Sequence, residues 1–241
     1  MSPITSTRVR APEITRIRVA ILALAVCLLL NCSASAQEVP KDLIQRVDDA
    51  EISRETNLGG YTVTEQYSIF RNGNSQPDAE TLVNTVYKKG QGKEYTVTSR
   101  SGSSLLQKYL INRVLSEEKE VSQAGNRDGI LVTSANYDMG LERKEPLLGR
   151  NCLVLTLAPK RKSPYLVVGH AWVDAQNYHL VRVEGKLSAK PSFWSGIPTI
   201  RRDYQELQGF AVATSSRSES SSMLLGTTVL NIEYRNYLVV P

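Results

Sequence analysis

Beyond Gly125 the chain alternates apolar and polar positions with a period of two, which is typical of half-buried strands. Turn residues such as Pro146, Gly149, Asn177 and Gly209 interrupt the alternation. The predicted strands are Ile130–Asn136, Tyr137–Lys144, Asn151–Leu157, Tyr165–Asp174, Tyr178–Leu187, Thr199–Leu207, Phe210–Arg217 and Met223–Leu238. Because short connections join neighbouring strands antiparallel, this region predicts an antiparallel sheet.

Before Gly125 the pattern mixes helices and strands. Helical spacing of apolar positions predicts a helix over Pro40–Leu58, which Gly59-Gly60 ends. Three strands are predicted after it, at Tyr61–Ile69, Thr81–Lys88 and Glu94–Arg100. Glu65 falls on the apolar side of the first of these strands, so it is either paired there or marks a bulge.

A second helix is predicted from Ser103 to about Val121, with Ser103 or Ser104 as its N-cap. Leu106, Tyr109, Leu110 and Val114 would share one face of this helix. The alternative is a strand that ends near Leu115, because the tail from 116 to 120 is entirely polar.

Eleven strands and two helices in one domain, residues 37–241, predict an α+β fold that is mainly antiparallel β. A sheet of this size tends to curl. We therefore expect a strongly curved, incomplete β-barrel whose helices cover the concave face. An apolar cavity remains if they fill it incompletely. The serine-rich segment Ser215–Ser222 is either a flexible hairpin tip or a polar edge strand.

Residues 1–36 have the pattern of a secretory signal. Four arginines precede an apolar run from Val19 to Leu30, and Ala34-Ser35-Ala36 supplies the small residues of a cleavage site. The run is too short for a membrane-spanning helix, which needs roughly 20 residues. The protein is therefore expected to be periplasmic, with Gln37 as its first residue. The alternative is an outer-membrane lipoprotein acylated at Cys32, although Asn31 is large and polar where a small residue is expected.

Removing this signal changes the charge balance. Residues 1–36 hold four of the 29 basic residues and one of the 24 acidic ones, so the remaining chain is close to neutral. Nucleic-acid binding loses its main support, because it needs a clustered basic face. Cys152 is then the one remaining cysteine and is expected to be a buried small hydrophobe.

No motif in the sequence carries recognisable chemistry. There is no Gly-x-Ser-x-Gly elbow, no phosphate-binding glycine loop and no Gly-x-Gly-x-x-Gly. His170, His179 and Asp174 are the best candidates for a metal site, but structural zinc usually takes four ligands. We therefore expect no catalytic residues, no cofactor and no metal.

Large apolar side chains remain as candidates for a cavity or its lid. The segment Ser192–Pro198 carries two aromatics between prolines and is either a lid over a cavity or a plug that completes the core. The candidates for cavity or lid are Trp172, Phe193, Trp194, Phe210, Leu106, Tyr109 and Leu110.

Three stretches carry a resemblance to a known family. They are Gly149–Lys160 with Leu-Thr-Leu at its centre, Ala171-Trp172-Val173-Asp174 with Tyr178 to Arg182, and Tyr204–Phe210 with a terminal strand through Tyr234 and Tyr237. The chain resembles the periplasmic lipoprotein-carrier superfamily typified by LolA, LolB and the N-terminal domain of RseB. The stretches span nearly half of the chain beyond the signal.

The resemblance implies an incomplete barrel that wraps a hydrophobic cavity under helical lids. It implies a non-enzymatic carrier or sensor that binds lipid or lipoprotein acyl chains, with peripheral membrane contact and an envelope protein as further partners. No residue here matches a lid or entrance residue of the carriers. The alternative is a protein-interaction or regulatory module with a filled core and no lipid ligand.

Overall fold

The computed structural model describes residues 41–192, 194, 196–222 and 226–241. The predicted signal, with the alternative acylation site Cys32, lies outside the described residues, and so does Phe193. Residues Asp42–Pro241 form one compact unit.

The chain begins with helix α1, Leu43–Asn57, within the predicted range. Its apolar residues Leu43 and Val47 are buried against the sheet. The described residues then form ten strands rather than the eleven predicted. These are β1 (Gly60–Arg71), β2 (Ala79–Lys88), β3 (Gly92–Gly102), β4 (Tyr137–Leu147), β5 (Arg150–Pro159), β6 (Val167–Asp174), β7 (Leu180–Leu187), β8 (Thr199–Leu207), β9 (Phe210–Ser222) and β10 (Gly226–Val240).

All ten strands belong to one antiparallel sheet in the order β3-β2-β1-β10-β9-β8-β7-β6-β5-β4. The first and last strands therefore pair in its interior, and β3 and β4 are its two edges. The sheet is an incomplete, curved β-barrel, as the sequence predicts. Register shifts interrupt five of its ladders, for example between Thr62 and Thr64 and between Asp203 and Tyr204. Such bulges increase local twist, which lets a long sheet curl.

A helical segment connects the two edge strands. It comprises α2 (Ser104–Leu106), a π-helix (Gln107–Ile111) and α3 (Asn112–Val121), which confirms the predicted helix over the alternative strand. Ser103 is the N-cap, and its hydroxyl accepts a hydrogen bond from the Leu106 amide at 3.4 Å.

The predicted strand Ile130–Asn136 is wrong. A short 3₁₀ helix, Asp128–Ile130, is followed by tight turns. The Asp48 carboxylate on α1 accepts hydrogen bonds from the Ser134 amide at 2.7 Å and its hydroxyl at 2.5 Å. The Asn136 side chain donates to the Asp128 and Leu131 carbonyls at 2.7 and 2.9 Å. These hydrogen bonds hold residues 130–136 in place without pairing to a strand. The buried apolar side chains of this segment therefore belong to a loop rather than to a strand.

Both interpretations of Ser215–Ser222 are wrong as well. The segment continues β9, which pairs with β8 as far as Glu219 and with β10 as far as Ser222. Ser216, for example, lies opposite Arg202 on one side and Ile232 on the other. Serine is tolerated because its small side chain faces space that other elements leave open.

Two apolar clusters pack against the concave face. One lies beneath α1 on β4–β7 and includes Val47, Leu155 and Val173, all 0% exposed. The other lies beneath the π-helix and α3 on β1, β2 and β10 and includes Tyr67, Ile69 and Ile111. Each helix thus covers its own part of the sheet.

Candidate functional site

A cavity of about 330 Å³ lies between the helices and the concave face of the sheet. α1 contributes Glu51 and Arg54 to its lining, and α3 contributes Val114, Glu117 and Glu118. The remaining walls come mainly from β7, β8, β9 and β10. The volume is at the lower end of the roughly 300–1,000 Å³ typical of small-molecule sites.

Small side chains on β9 keep the centre of this cavity open. Ala213, Ser216 and Ser218 line it. Ser218 lies between Ile200 of β8 and Leu230 of β10, so a larger side chain there would fill the space between them. The serine-rich composition of β9 is therefore part of how the cavity forms.

One wall of the cavity is apolar. Val183, Ile200, Leu230 and Ile232 line it from four positions on three strands, and Val114 faces them from α3. Burying a methylene group against such a wall contributes about 0.8 kcal/mol. This wall suits an aliphatic chain.

A charge cluster adjoins the cavity through Lys93 and Glu118. Lys93 Nζ on β3 lies 2.8 Å from the Glu118 carboxylate on α3 and 3.9 Å from that of Glu65 on β1. The Tyr95 hydroxyl donates to Glu118 at 3.2 Å, and the Tyr67 hydroxyl donates to Glu65. Glu65 therefore occupies the apolar side of its strand because it is paired, which is one of the two alternatives that the sequence left open.

The two carboxylates of the cluster differ in acidity. Burial raises the pKa of Glu65, and the nearby Lys93 only partly opposes this. Burial also disfavours the ionised form of Glu118, but the charges of Lys93 and Arg202 and the hydrogen bonds from Lys93 and Tyr95 outweigh it, so its pKa is lowered. Glu118 is thus the firmly ionised partner of Lys93.

Two arginines border the cavity from opposite sides. Arg54 on α1 lies 3.1 Å from Glu51, and Arg202 projects from β8. The Nε atoms of both are buried and have no hydrogen-bond partner among the described residues. In the sheet, Arg202 pairs with Val183 on the neighbouring strand β7 and with Ser216 on the neighbouring strand β9.

The predicted cavity residues are only partly brought together. Trp194 is 5% exposed and lines the cavity. Leu110 is buried in the same apolar cluster as Trp194, and Leu106 packs against that cluster. Phe210 packs at another part of the core with Leu58, Tyr87 and Val212.

Tyr109 and Trp172 lie elsewhere. Tyr109 is 61% exposed, because the wider turn of the π-helix rotates it out of the face that Leu106 and Leu110 share. Trp172 lies on the outer face of the sheet with Cys152, Val154 and Val181, and its indole N–H donates to Glu145. Neither side chain borders the cavity.

The histidines lie at ion-pair distance from carboxylates rather than in a shared site. His170 lies 3.0 Å from Glu142, and His179 lies 3.5 Å from Glu206. Within the described ranges no group of three or more His, Cys, Asp or Glu side chains is placed to hold a metal ion. In the same part of the chain, no helix has both the length and the apolar character needed to cross a membrane.

Arg202 is a cavity residue that the sequence patterns leave unpredicted, although the signal for it is present. On β8 the inner face reads Ile200, Arg202, Tyr204, so an arginine occurs at an inward position of an alternating strand. Glu65 was noticed on β1 by this same reasoning. The partner of each residue comes from a distant strand or helix, which the alternation alone does not identify.

No protein-family model matches the chain, and no curated protein sequence does. Among solved structures, the chain is similar to a LolA-superfamily protein from Nitrosomonas europaea, with 12% identity, a TM-score of 0.44, and 83% of this chain and 93% of that one covered. It is also similar to a putative outer membrane lipoprotein-sorting protein domain from Vibrio parahaemolyticus, with 12% identity, a TM-score of 0.45 and coverage of 80% and 90%. The Pseudomonas aeruginosa MucA/MucB complex matches with 10% identity, a TM-score of 0.26 and coverage of 80% and 92%.

Proposed function

We propose that this protein is a non-enzymatic carrier or sensor that binds a lipid or lipoprotein acyl chain in the cavity between its sheet and helices. The observation that carries the proposal is the open space of about 330 Å³ beside an apolar wall. Ten buried methylenes would contribute roughly 8 kcal/mol before the entropic cost of binding. An acyl chain would therefore prefer this wall to water.

The predicted signal in residues 1–36 supports a periplasmic location for this carrier. An acyl chain there must cross water between membranes, and a half-barrel that shields it would lower the cost of that passage.

Native mass spectrometry of protein purified from the envelope tests the proposal. We expect an adduct with the mass of a lipid, which organic extraction removes and added palmitate restores. Delipidated protein that takes up neither fatty acid nor lipoprotein would contradict acyl-chain binding. A Ser218→Leu variant, which narrows the cavity, is the control that should lose the adduct.

A partner protein is the second candidate, and the sheet edge at β4 favours it. Among the described residues β4 has a strand neighbour on one side only, and such an edge can accept a strand from a partner. An envelope pulldown that recovers one specific protein, with no lipid in either component, would support this regulatory role over the carrier role.

Membrane contact would serve loading of the cavity. Leu105 is 65% exposed and Tyr109 61%, one turn apart, and Lys108 lies between them. An exposed apolar pair beside a cation suits a membrane surface. Flotation with anionic phospholipid vesicles should be weaker for a Leu105→Ser variant than for the wild type, and equal flotation would contradict the contact.

A further inference from the structure

Arg202 differs from the other cations that border the cavity. Arg54 lies 3.1 Å from Glu51, Lys93 2.8 Å from Glu118, and Arg127 2.6 Å from Glu55. Among the residues that the structure describes, no carboxylate lies within ion-pair distance of Arg202. The cavity therefore has one cation that the protein itself leaves without a counterion.

Arg202 lies at the wall of the cavity. It projects from the inner face of β8, and its Nε is buried without a hydrogen-bond acceptor. Its side-chain hydrogen bond with Tyr204 uses only part of the five N–H donors of a guanidinium, so donors remain for an anionic ligand. Glu118 is near enough to influence Arg202, but that carboxylate is engaged by Lys93 and Tyr95.

Arg202 nevertheless stays charged. Burial lowers the pKa of its guanidinium, but the phenols of Tyr234 and Tyr204 and the carboxylate of Glu118 raise it by more. The net shift is upward, so the guanidinium is a permanent cation at the cavity wall.

Donors and apolar surface adjoin this cation. Ser216, with its hydroxyl group, lies directly opposite Arg202 on β9, and the phenols of Tyr204 and Tyr234 line the same cavity. Ile200 precedes Arg202 on the inner face of β8, and Leu230 lies one strand beyond Ser218. A cation thus adjoins both hydrogen-bonding groups and an aliphatic wall.

We propose that Arg202 anchors the anionic head group of a single-chain amphiphile whose acyl chain lies along the apolar wall. The proposal rests on the proposed function and specifies its ligand. A guanidinium matches the oxygens of a carboxylate or a phosphate, so fatty acids and lysophospholipids share the required chemistry. The small volume of the cavity favours one chain over several.

The test is a calorimetric titration of delipidated protein purified from the envelope. The probes are palmitate, palmitoyl lysophosphatidate, the neutral monopalmitoylglycerol, and inorganic phosphate. The wild type should bind both anionic amphiphiles about tenfold or more tightly than the neutral one, since a hydrogen bond to a charged group contributes that much. A higher affinity for one anionic amphiphile identifies the head group.

Two variants distinguish a specific anchor at Arg202 from a nonspecific effect of positive charge on the protein. Arg202→Gln should remove the preference for anionic amphiphiles. Arg201→Gln is the matched control, because Arg201 is on the outer face of the same strand and lies 3.4 Å from Asp203. It should keep the full preference.

The outcomes distinguish this proposal from the function on which it rests. Equal affinity for neutral and anionic amphiphiles, or a preference that survives Arg202→Gln, overturns the anchor but keeps acyl-chain binding. Phosphate that binds as tightly as lysophosphatidate also overturns it, because the chain then contributes nothing. No binding of any amphiphile overturns both.

Thermal unfolding without ligand tests whether Arg202 has a purely structural role. Arg202→Gln removes the charge but keeps a side chain that can donate a hydrogen bond to Tyr204, so its Tm should lie close to that of the wild type. A marked fall in Tm would mean that Arg202 stabilises the fold itself, and this also overturns the anchor.

Discussion

Two regions of the concave face solve the problem of burial in different ways. Beneath α1, the strands β4–β7 form a packed region of aliphatic side chains, with Leu155 and Val173 fully buried. Beside α3, the strands β8–β10 line a cavity region that contains Arg202 and the serines of β9 and is bordered by Lys93 and Glu118. One sheet thus combines a close-packed core with an open, partly charged one.

The difference separates stability from binding. Close packing maximises dispersion contacts and leaves no space for a ligand. Open space and buried charges lower stability, and a protein keeps them where they serve a function. We therefore expect mutations in the packed region to change folding, and mutations in the cavity region to change binding.

The largest effect is expected from Leu155→Ala in the packed region. Leu155 is 0% exposed and surrounded by other aliphatic side chains, so its removal leaves a void. We expect the free energy of unfolding to fall by about 4 kcal/mol, measured by urea denaturation.

Leu230→Ala is the matched control in the cavity region. Leu230 borders space that is already open, so its truncation removes fewer contacts and should cost about 2 kcal/mol. Equal losses for the two variants would contradict the distinction between the regions.

Glu118→Gln should have the next largest effect, because it leaves the buried Lys93 without its ionised partner. We expect a loss of about 3 kcal/mol at pH 7. The folded-state pKa of Glu118 is lowered below 4.5, so its contribution is present above that pH and is lost as the pH falls through the folded-state value. Denaturation of wild type and variant across this range should therefore converge in acid, and a constant difference would refute the assignment.

Glu65→Gln should change the free energy of unfolding in the opposite direction to Glu118→Gln. Burial raises the folded-state pKa of Glu65, so its contribution is fully present below pH 4.5 and is lost as the pH rises through the folded-state value. At pH 8 the variant should be more stable than the wild type, by an amount on the order of 1 kcal/mol. An advantage that grows towards acidic pH would contradict this.

Ser218→Leu should have the smallest effect on stability and a large effect on binding. A leucine between Ile200 and Leu230 fills open space, which should raise the free energy of unfolding by up to about 1 kcal/mol. Palmitate binding should disappear. Ser221→Leu, on the outer face of the same strand, should bind normally, and equal binding by both variants would show that the ligand lies elsewhere.

The sequence predicts the architecture because strands and helices leave local periodic signals. All ten strands of the described residues, both helices, the Ser103 cap and the curl of the sheet follow from alternation, turn residues and strand number. The loop at Ile130–Asn136 does not, because the Asp48 carboxylate that organises it is 86 residues away from Ser134.

The site is less predictable for a related reason. Alternation places Arg202 and Glu65 on the inner face, but their surroundings depend on α3 and on strands that are distant in sequence. The serines of β9 were interpreted as a tip or an edge, since composition alone does not reveal that two neighbouring strands flank them. Tyr109 is exposed on a π-helix, whose spacing differs from the one that the α-helical pattern assumes.

The two tryptophans provide the most direct test, because Trp194 lines the cavity and Trp172 lies on the outer face. A brominated palmitate quenches the fluorescence of a tryptophan that it contacts. In a Trp172→Phe variant, which retains Trp194, quenching should be strong and saturable. In a Trp194→Phe variant, which retains Trp172, it should be absent. Quenching of Trp172 alone, or of neither, would contradict an acyl chain bound between the sheet and the helices.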